Sequence, residues 1–131
     1  PAPEGRINAL LLAALIETRG LSPEALSIDF GMDPIGVFAG TGGLAASWSE
    51  VGRRLAATVR ALKSRGFKGP FVTVDTRPWH EAGASEAQEL GYGLATAIAY
   101  LRALEAEGWL ARLHDAVTTS FSPANRALPR E

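Results

Sequence analysis

Hydrophobic residues recur at two different periods along this chain, and each period predicts its own kind of element. Helical spacing predicts an amphipathic helix over Gly5–Arg19, a second helix from a Ser47 cap to Gly66, and a long third helix from Ser85 to Gly108. Ser47 and Glu50, three residues apart, predict a capping box. The expected core-facing residues are Ile7, Leu10, Leu11, Ala14 and Leu15 in the first helix, Val51, Leu55, Val59 and Leu62 in the second, and Leu90, Leu94, Ile98, Leu101 and Leu104 in the third.

Two short segments, Leu26–Phe30 and Phe71–Val74, predict strands. Residues 33–43 are rich in glycine and predict a loop or a loosely held helical turn. After Gly108 the pattern weakens: residues 109–116 predict one more short helix, and residues 118–131 an irregular tail.

The order helix, strand, helix, strand, helix is typical of a βαβ unit with a leading helix, so the fold class is α/β with parallel strands and crossover helices. Two short parallel strands form a poor sheet, because apolar parallel strands need neighbours and cover on both faces. The pattern therefore predicts that the chain is part of something larger or pairs with other copies.

Composition narrows the function classes. Thirteen basic residues stand against fourteen acidic ones over 131 residues, and no long basic run is present, which argues against nucleic acid as a partner. Cysteine is absent, which excludes disulfides and thiolate metal sites. The longest apolar run, Ala9–Ile16, is too short for a membrane span. We expect a soluble, cytoplasmic protein of one domain.

Candidate chemistry follows the second strand, where Asp75, Arg77, Trp79, His80 and Glu81 come just before the long helix. Polar residues at the end of a buried strand are typical of sites in α/β folds. An acid–base cluster is one interpretation. The alternative is structural: Asp75 and Arg77 cap or bridge the backbone while His80 packs beside Trp79. A metal site is not expected, because the other histidine, His114, lies in a different segment.

The stretch from Gly66 to Leu104 resembles the substrate-binding barrel of the methylmalonyl-CoA mutase family, and most closely its small, or β, subunit in the heterodimeric bacterial enzyme. The most specific part is E-A-G-A-x-x-x-Q-E-L-x-Y, which begins at Glu81. The segment I-D-F-G-M-D-P-I-G-V-F-A-G-T-G, from Ile28, resembles the preceding strand and loop of that subunit. The resemblance extends over about residues 7–108.

This resemblance implies part of a (β/α)8 barrel over residues 1–113, followed by an irregular tail over 114–131. It also implies an adenosylcobalamin cofactor and radical interconversion of methylmalonyl-CoA and succinyl-CoA, an isomerase reaction. The implied partners are a catalytic mutase subunit and an acyl-CoA, or further copies of the chain. Residual substrate-site positions would be Asp33, Asp75, Arg77, Trp79, His80 and Glu81.

The catalytic pattern of the family is interrupted at the positions that contact substrate. Catalytic subunits carry Y-H-M-Q-E-A-G-A, and alignment on E-A-G-A places Arg77 and Pro78 at the tyrosine and histidine. Gly31 replaces the glutamine of the earlier T-x-Q-N-D pattern, and the arginine that contacts CoA falls near Thr41. The cobalt-ligating motif D-x-H-x-x-G is absent. These departures predict a non-catalytic subunit that supports a catalytic partner.

Two other functions stay open at this point. One is a mutase-type subunit that uses Arg77, Trp79 and His80 on a different acyl-CoA. The other is a free-standing α/β domain that binds a small ligand without catalysis.

Overall fold

The computed structural model describes residues 5–44, 46–108 and 117–120. Its helices are α1 (Arg6–Thr18), α2 (Pro34–Thr41), α3 (Trp48–Ser64), α4 (Arg77–Glu81) and α5 (Glu86–Ala106), with a 3₁₀ turn at Pro23–Ala25. The strands are β1 (Val72–Asp75) and β2 (Val117–Ser120). The three long helices and the β1 strand confirm the predicted elements at those positions.

The two strands are parallel, with Val72 opposite Val117 and Asp75 opposite Ser120. The other edge of β1 carries the extended segment that ends at Met32, which forms a parallel bridge with Val72. Three backbone hydrogen bonds join this segment to β1 or the residues before it, including Thr73 N to Met32 O at 3.1 Å. The parallel βαβ arrangement is therefore confirmed, while no closed barrel is present in the described ranges.

The local structure differs from the sequence predictions at four places. No regular strand forms over Leu26–Phe30, because the pairing with β1 begins only at Phe30 N and is centred on Met32. The glycine-rich segment forms the regular helix α2, since Asp33 caps it and Pro34 suits its first turn. The short helix α4 was not predicted, and β2 lies within the segment expected to be an irregular tail. The short helix expected over 109–116 falls outside the described residues.

The caps of the long helices follow the sequence closely. Ser85 and Gln88 form a capping box at the start of α5, and the Ser47 hydroxyl accepts a hydrogen bond from Glu50 N at the start of α3. The second half of the box predicted at Ser47 does not form. The Glu50 carboxylate instead contacts Arg54 at 2.6 Å, together with Arg53.

The core lies between the sheet and one layer of helices. In β1, Val72 and Val74 are buried against this layer, whereas Thr73 and Asp75 are half-buried on the opposite face. Helix α3 buries all four residues of its predicted stripe, Val51, Leu55, Val59 and Leu62. The prediction for α3 is thus confirmed.

Most of the predicted stripe residues of α1 and α5 point away from the core, although Leu104 is buried as predicted. In α1 the buried residues are Ala9, Ala13 and Ile16, whereas Ile7, Leu10, Leu11 and Leu15 are exposed. In α5 the buried residues are Glu89, Gly93, Thr96, Tyr100 and Leu104, whereas Leu90, Leu94 and Ile98 are exposed. Apart from Ile16 in α1 and Tyr100 and Leu104 in α5, the buried faces of these helices consist of small or polar residues, and most of the larger aliphatic side chains lie outside the core.

Close packing of α3 against α5 depends on Gly52. A Cβ atom at this position would lie 3.0 Å from the Cβ of Ala103, which is tighter than ordinary van der Waals contact. Gly91, in the middle of α5, has no neighbouring atom within 4 Å of such a position.

We therefore expect Gly52→Gln to lower the free energy of unfolding by about 1–3 kcal/mol, because the added side chain forces the two helices apart. Gly91→Gln is the matched control and should raise stability by about 0.5–1 kcal/mol through helix propensity. Urea unfolding followed by circular dichroism measures both. Equal effects of the two substitutions would contradict the close approach of α3 and α5.

Candidate functional site

A cavity of about 570 Å³ lies on the exposed face of the sheet, at the carboxyl end of β1. Its polar lining comes from the segment before α2, from β1 and from the start of α4. The lining residues are Gly5, Asp29, Gly31, Asp33, Gly36, Val37, Thr73, Asp75, Arg77 and Pro78. This is the position at which parallel α/β folds place their ligands.

Arg77 is held at the rim of this cavity by Asp75. The guanidinium Nε lies 2.8 and 2.9 Å from the two carboxylate oxygens, and the backbone N–H of Arg77 donates to Oδ1 at 3.0 Å. Hydrogen bonding to Arg77 lowers the pKa of Asp75. The guanidinium is thereby largely neutralised by its neighbour, which weakens its attraction for an anionic ligand.

Asp33 connects three elements beneath the cavity. Its side chain accepts hydrogen bonds from Gly36 N in α2 and from Asp75 N in β1, both at 2.9 Å, and also from the Tyr100 hydroxyl of α5. The Tyr100 oxygen in turn accepts a hydrogen bond from Ile35 N at 2.8 Å. Burial raises the pKa of Asp33, and it also raises the pKa of Tyr100.

A third carboxylate, Asp29, completes the polar lining. Its Oδ1 accepts hydrogen bonds from Gly31 N at 2.9 Å and from the Thr73 hydroxyl at 3.0 Å. The cavity therefore presents three carboxyl groups, each accepting hydrogen bonds from the protein, against the single guanidinium of Arg77. Such a lining is poorly suited to the phosphates of an acyl-CoA.

His80 lies away from the cavity lining and contacts α5. Its Nδ1 is 3.2 Å from Oε2 of Glu89, a fully buried carboxyl group, and the Thr76 hydroxyl donates to Glu89 Oε1 at 2.6 Å. The sequence analysis missed both Thr76 and Glu89. One signal was available: Glu89 lies at helical spacing from Gly93, Thr96 and Tyr100, the face that α5 buries.

Trp79 also contacts α5 and stacks on Tyr92, with ring centroids 5.7 Å apart and an interplanar angle of 18°. Both aromatic residues line a separate cavity of about 230 Å³. Glu81, the last residue of α4, is exposed.

The six predicted site residues therefore occupy three places. Asp33, Asp75 and Arg77 surround the cavity, Trp79 and His80 pack toward α5, and Glu81 faces solvent. Of the structural alternative, the backbone contact between Asp75 and Arg77 is present. His80 in addition contacts Glu89. No group of three or more metal-ligating side chains occurs among the described residues.

Comparison with known proteins identifies the family. The family model for methylmalonyl-CoA mutase matches residues 4–118.

The chain belongs to the methylmalonyl-CoA mutase family.

Its relatives confirm the resemblance to the small subunit. The methylmalonyl-CoA mutase small subunit of Streptomyces virginiae is 41% identical over 106 residues, covering 80% of this chain and 16% of the relative. The small subunit of Propionibacterium freudenreichii subsp. shermanii is 32% identical over 100 residues, covering 76% and 15%. A probable small subunit of Mycobacterium tuberculosis is 35% identical over 103 residues, with the same coverage. No solved structure matches the chain significantly.

This mutase-family chain thus corresponds to only 15–16% of the length of these relatives. None of its described residues is suited to ligate the cobalt of a cobalamin. Their one histidine, His80, directs Nδ1 at the buried Glu89 and lies outside a D-x-H-x-x-G motif. None of the helices in the described part of the chain is long and apolar enough to cross a membrane.

Loss of the Tyr100 hydroxyl should destabilise this mutase-family fold. Tyr100→Phe removes a donor to the buried Asp33 and the acceptor of Ile35 N–H, so we expect the free energy of unfolding to fall by about 1–3 kcal/mol. Tyr92→Phe, at a ring that is 45% exposed, is the control and should change stability by less than about 0.5 kcal/mol. Chemical denaturation measures both, and a neutral Tyr100→Phe would show that the network contributes nothing net.

The raised pKa of Asp33 predicts a pH dependence. Because the folded protein binds this proton more tightly than the unfolded chain does, the stability contributed by Asp33 is greatest at low pH and is lost as pH rises through the raised pKa. The difference in unfolding free energy between the unmodified protein and Asp33→Asn should therefore decrease as pH rises from about 4 toward 7. The other carboxyl groups titrate in both proteins, so their contributions cancel in this difference of unfolding free energies. A difference that grows with pH would mean that the pKa of Asp33 is lowered by folding.

Proposed function

We propose that this chain is a segment of the (β/α)8 barrel domain of a methylmalonyl-CoA mutase small subunit, without catalysis of its own. Its role is to support a catalytic subunit that interconverts methylmalonyl-CoA and succinyl-CoA with adenosylcobalamin. Because the chain corresponds to 15–16% of its relatives, the whole reaction is assigned to the complete complex.

One observation carries the proposal: Arg77 and Pro78 stand where the resemblance to catalytic subunits implies tyrosine and histidine. The Arg77 guanidinium is engaged by Asp75, and the Pro78 ring has no side-chain donor or acceptor. Both residues line the cavity at the strand end, so the position of the site is retained while its reactive groups are absent.

The chain topology supports the barrel. Helix α3 joins the segment at Met32 to β1, and α5 joins β1 to β2, so consecutive segments lie side by side in a parallel array. Both helices pack against each other on the side of the sheet where Val72 and Val74 are buried. A singly wound arrangement of this kind is typical of (β/α) barrels, whereas doubly wound folds place helices on both faces.

The face of the sheet that the described residues leave uncovered supports the same interpretation. Thr73 and Asp75 point away from the helices into the cavity, and a parallel sheet with one uncovered face is rarely complete. Closure into a barrel would turn this face into the interior. Completion would require further strands, which longer relatives have the length to supply.

The exposed aliphatic side chains also indicate missing neighbours. Helix α1 is apolar nearly all round between Ile7 and Ile16, and Leu11 in this helix is 63% exposed. Helices of this composition are normally buried. Contact with further barrel units or a second subunit would cover such surfaces.

The test combines this chain with the purified catalytic subunit of a heterodimeric methylmalonyl-CoA mutase. We expect a stable complex by light scattering after gel filtration, with turnover only when the catalytic subunit and adenosylcobalamin are present. His80→Gln, which keeps a donor for Glu89 but removes the imidazole as a base, should leave that turnover unchanged.

Turnover by this chain alone on any acyl-CoA, lost on His80→Gln with the fold intact, would contradict the proposal and favour a subunit with its own substrate. Failure to bind the catalytic subunit would favour a free-standing α/β domain. Circular dichroism of each variant separates these outcomes from a loss of structure.

A further inference from the structure

The outward face of α5 carries an exposed row of aliphatic side chains, which a role in supporting a catalytic subunit does not explain. Leu90, Leu94 and Ile98 follow one another at intervals of four residues and are 49%, 56% and 48% exposed. We call this row the α5 ridge. No charged residue occurs between Leu90 and Leu101, and the small residues Gly91 and Ala95 lie beside the ridge. Rows at this interval form the ridges with which helices pack on one another.

The ridge ends in opposite charges. Continuing the interval by four residues in each direction leads to Glu86 at the amino end and to Arg102 at the carboxyl end. Both side chains are exposed, and neither makes an ion pair or a hydrogen bond with any described residue.

This arrangement is complementary to itself. If two copies of α5 pack antiparallel about a two-fold axis at Leu94, each Leu90 faces the other copy's Ile98 and each Glu86 faces the other copy's Arg102. Interdigitation of i±4 ridges is the most common helix-packing class in globular proteins. A two-fold interface of this kind is isologous, so both pairs of opposite charges form at once. Gly91 and Ala95 would allow the two backbones to approach closely.

The other exposed helix provides a contrast. Helix α1 has a comparable row, Ile7, Leu11 and Leu15, also at intervals of four. The carboxyl end of this row leads to Arg19, but the first turn of α1 contains no acidic residue that could face Arg19 in an antiparallel pair. Charge complementarity therefore distinguishes the α5 ridge from an apolar surface that lacks a preferred occupant.

We propose that the α5 ridge is a docking surface for a second copy of this chain, in an antiparallel, two-fold arrangement with Glu86 of each copy paired with Arg102 of the other. This inference goes beyond the supporting role and does not depend on it, since it concerns self-association in the absence of a catalytic subunit.

Charge reversal in the full 131-residue chain tests the arrangement. Sedimentation velocity across a range of concentrations should show a monomer–dimer equilibrium. Glu86→Arg alone, or Arg102→Glu alone, should weaken the dimer by about tenfold, because each places like charges opposite each other twice. The double variant Glu86→Arg with Arg102→Glu should restore it. Each reversal places a charge unfavourably relative to the dipole of α5 and therefore lowers the stability of that helix. Restored association in the double variant therefore cannot result from a more stable helix.

Apolar contact is tested separately. Leu94→Asp should abolish the dimer, because it places two carboxylates on the two-fold axis, whereas Leu11→Asp in α1 is the matched control and should leave it intact. Circular dichroism and thermal unfolding establish that each variant is folded.

Four results would overturn the inference. The chain could stay monomeric at every concentration, or its association could be lost with Leu11→Asp and unaffected by Leu94→Asp. Association that single charge reversal does not weaken would likewise exclude the proposed pairing. A catalytic mutase subunit that binds the chain, with binding lost on Leu94→Asp and no self-association in its absence, would assign the α5 ridge to that partner instead.

Discussion

The carboxyl group of Asp33 is the point on which the architecture of this chain depends. It accepts hydrogen bonds from the first turn of α2, from the last residue of β1 and from Tyr100 in α5, which are separated by up to 67 residues in sequence. A buried carboxyl group is unfavourable unless such donors surround it. Once they do, the end of the strand, the start of one helix and the middle of another are held in a single geometry.

That same geometry accounts for the chemical character of the strand end. The carboxyl groups around the cavity accept hydrogen bonds from neighbouring side chains: Asp75 from Arg77, Asp29 from Thr73, and Asp33 from Tyr100. In this mutase-family chain the strand end is thus stabilised by internal contacts between side chains of the cavity and of α5.

Parts of this structure were predictable from local rules. The stripe of α3 was assigned correctly because that helix packs fully within the chain, so its most apolar face is its buried face. The stripes of α1 and α5 were assigned to the wrong side for the opposite reason. Helix α5 buries a face of Glu89, Gly93, Thr96, Tyr100 and Leu104 against its own core and exposes larger aliphatic residues. Periodicity identifies the apolar face of a helix, but it does not say whether the contact lies within the same chain.

In the candidate site, too, local contacts were predictable from the sequence and contacts between separate elements were not. The contact between Asp75 and Arg77 was predictable from the sequence, because side chains two positions apart at the end of a strand can reach each other. The contacts of Asp33 with Tyr100 and of His80 with Glu89 were not predicted, since they join different helices and depend on how the elements pack. Short α4 was missed because five residues are too few to show helical periodicity.

The described residues leave two kinds of surface uncovered, and each would be covered by a different neighbour. The bare face of the sheet is polar and concave at Thr73 and Asp75, so it calls for further strands that close around it. The outward face of α5 is apolar, and it ends in the charges of Glu86 and Arg102, which have no ion-pair partner among the described residues. Because these surfaces lie on opposite sides of the helix–sheet layer, covering one does not obstruct the other. Completion of the barrel and pairing of two copies through α5 are therefore compatible on this single layer.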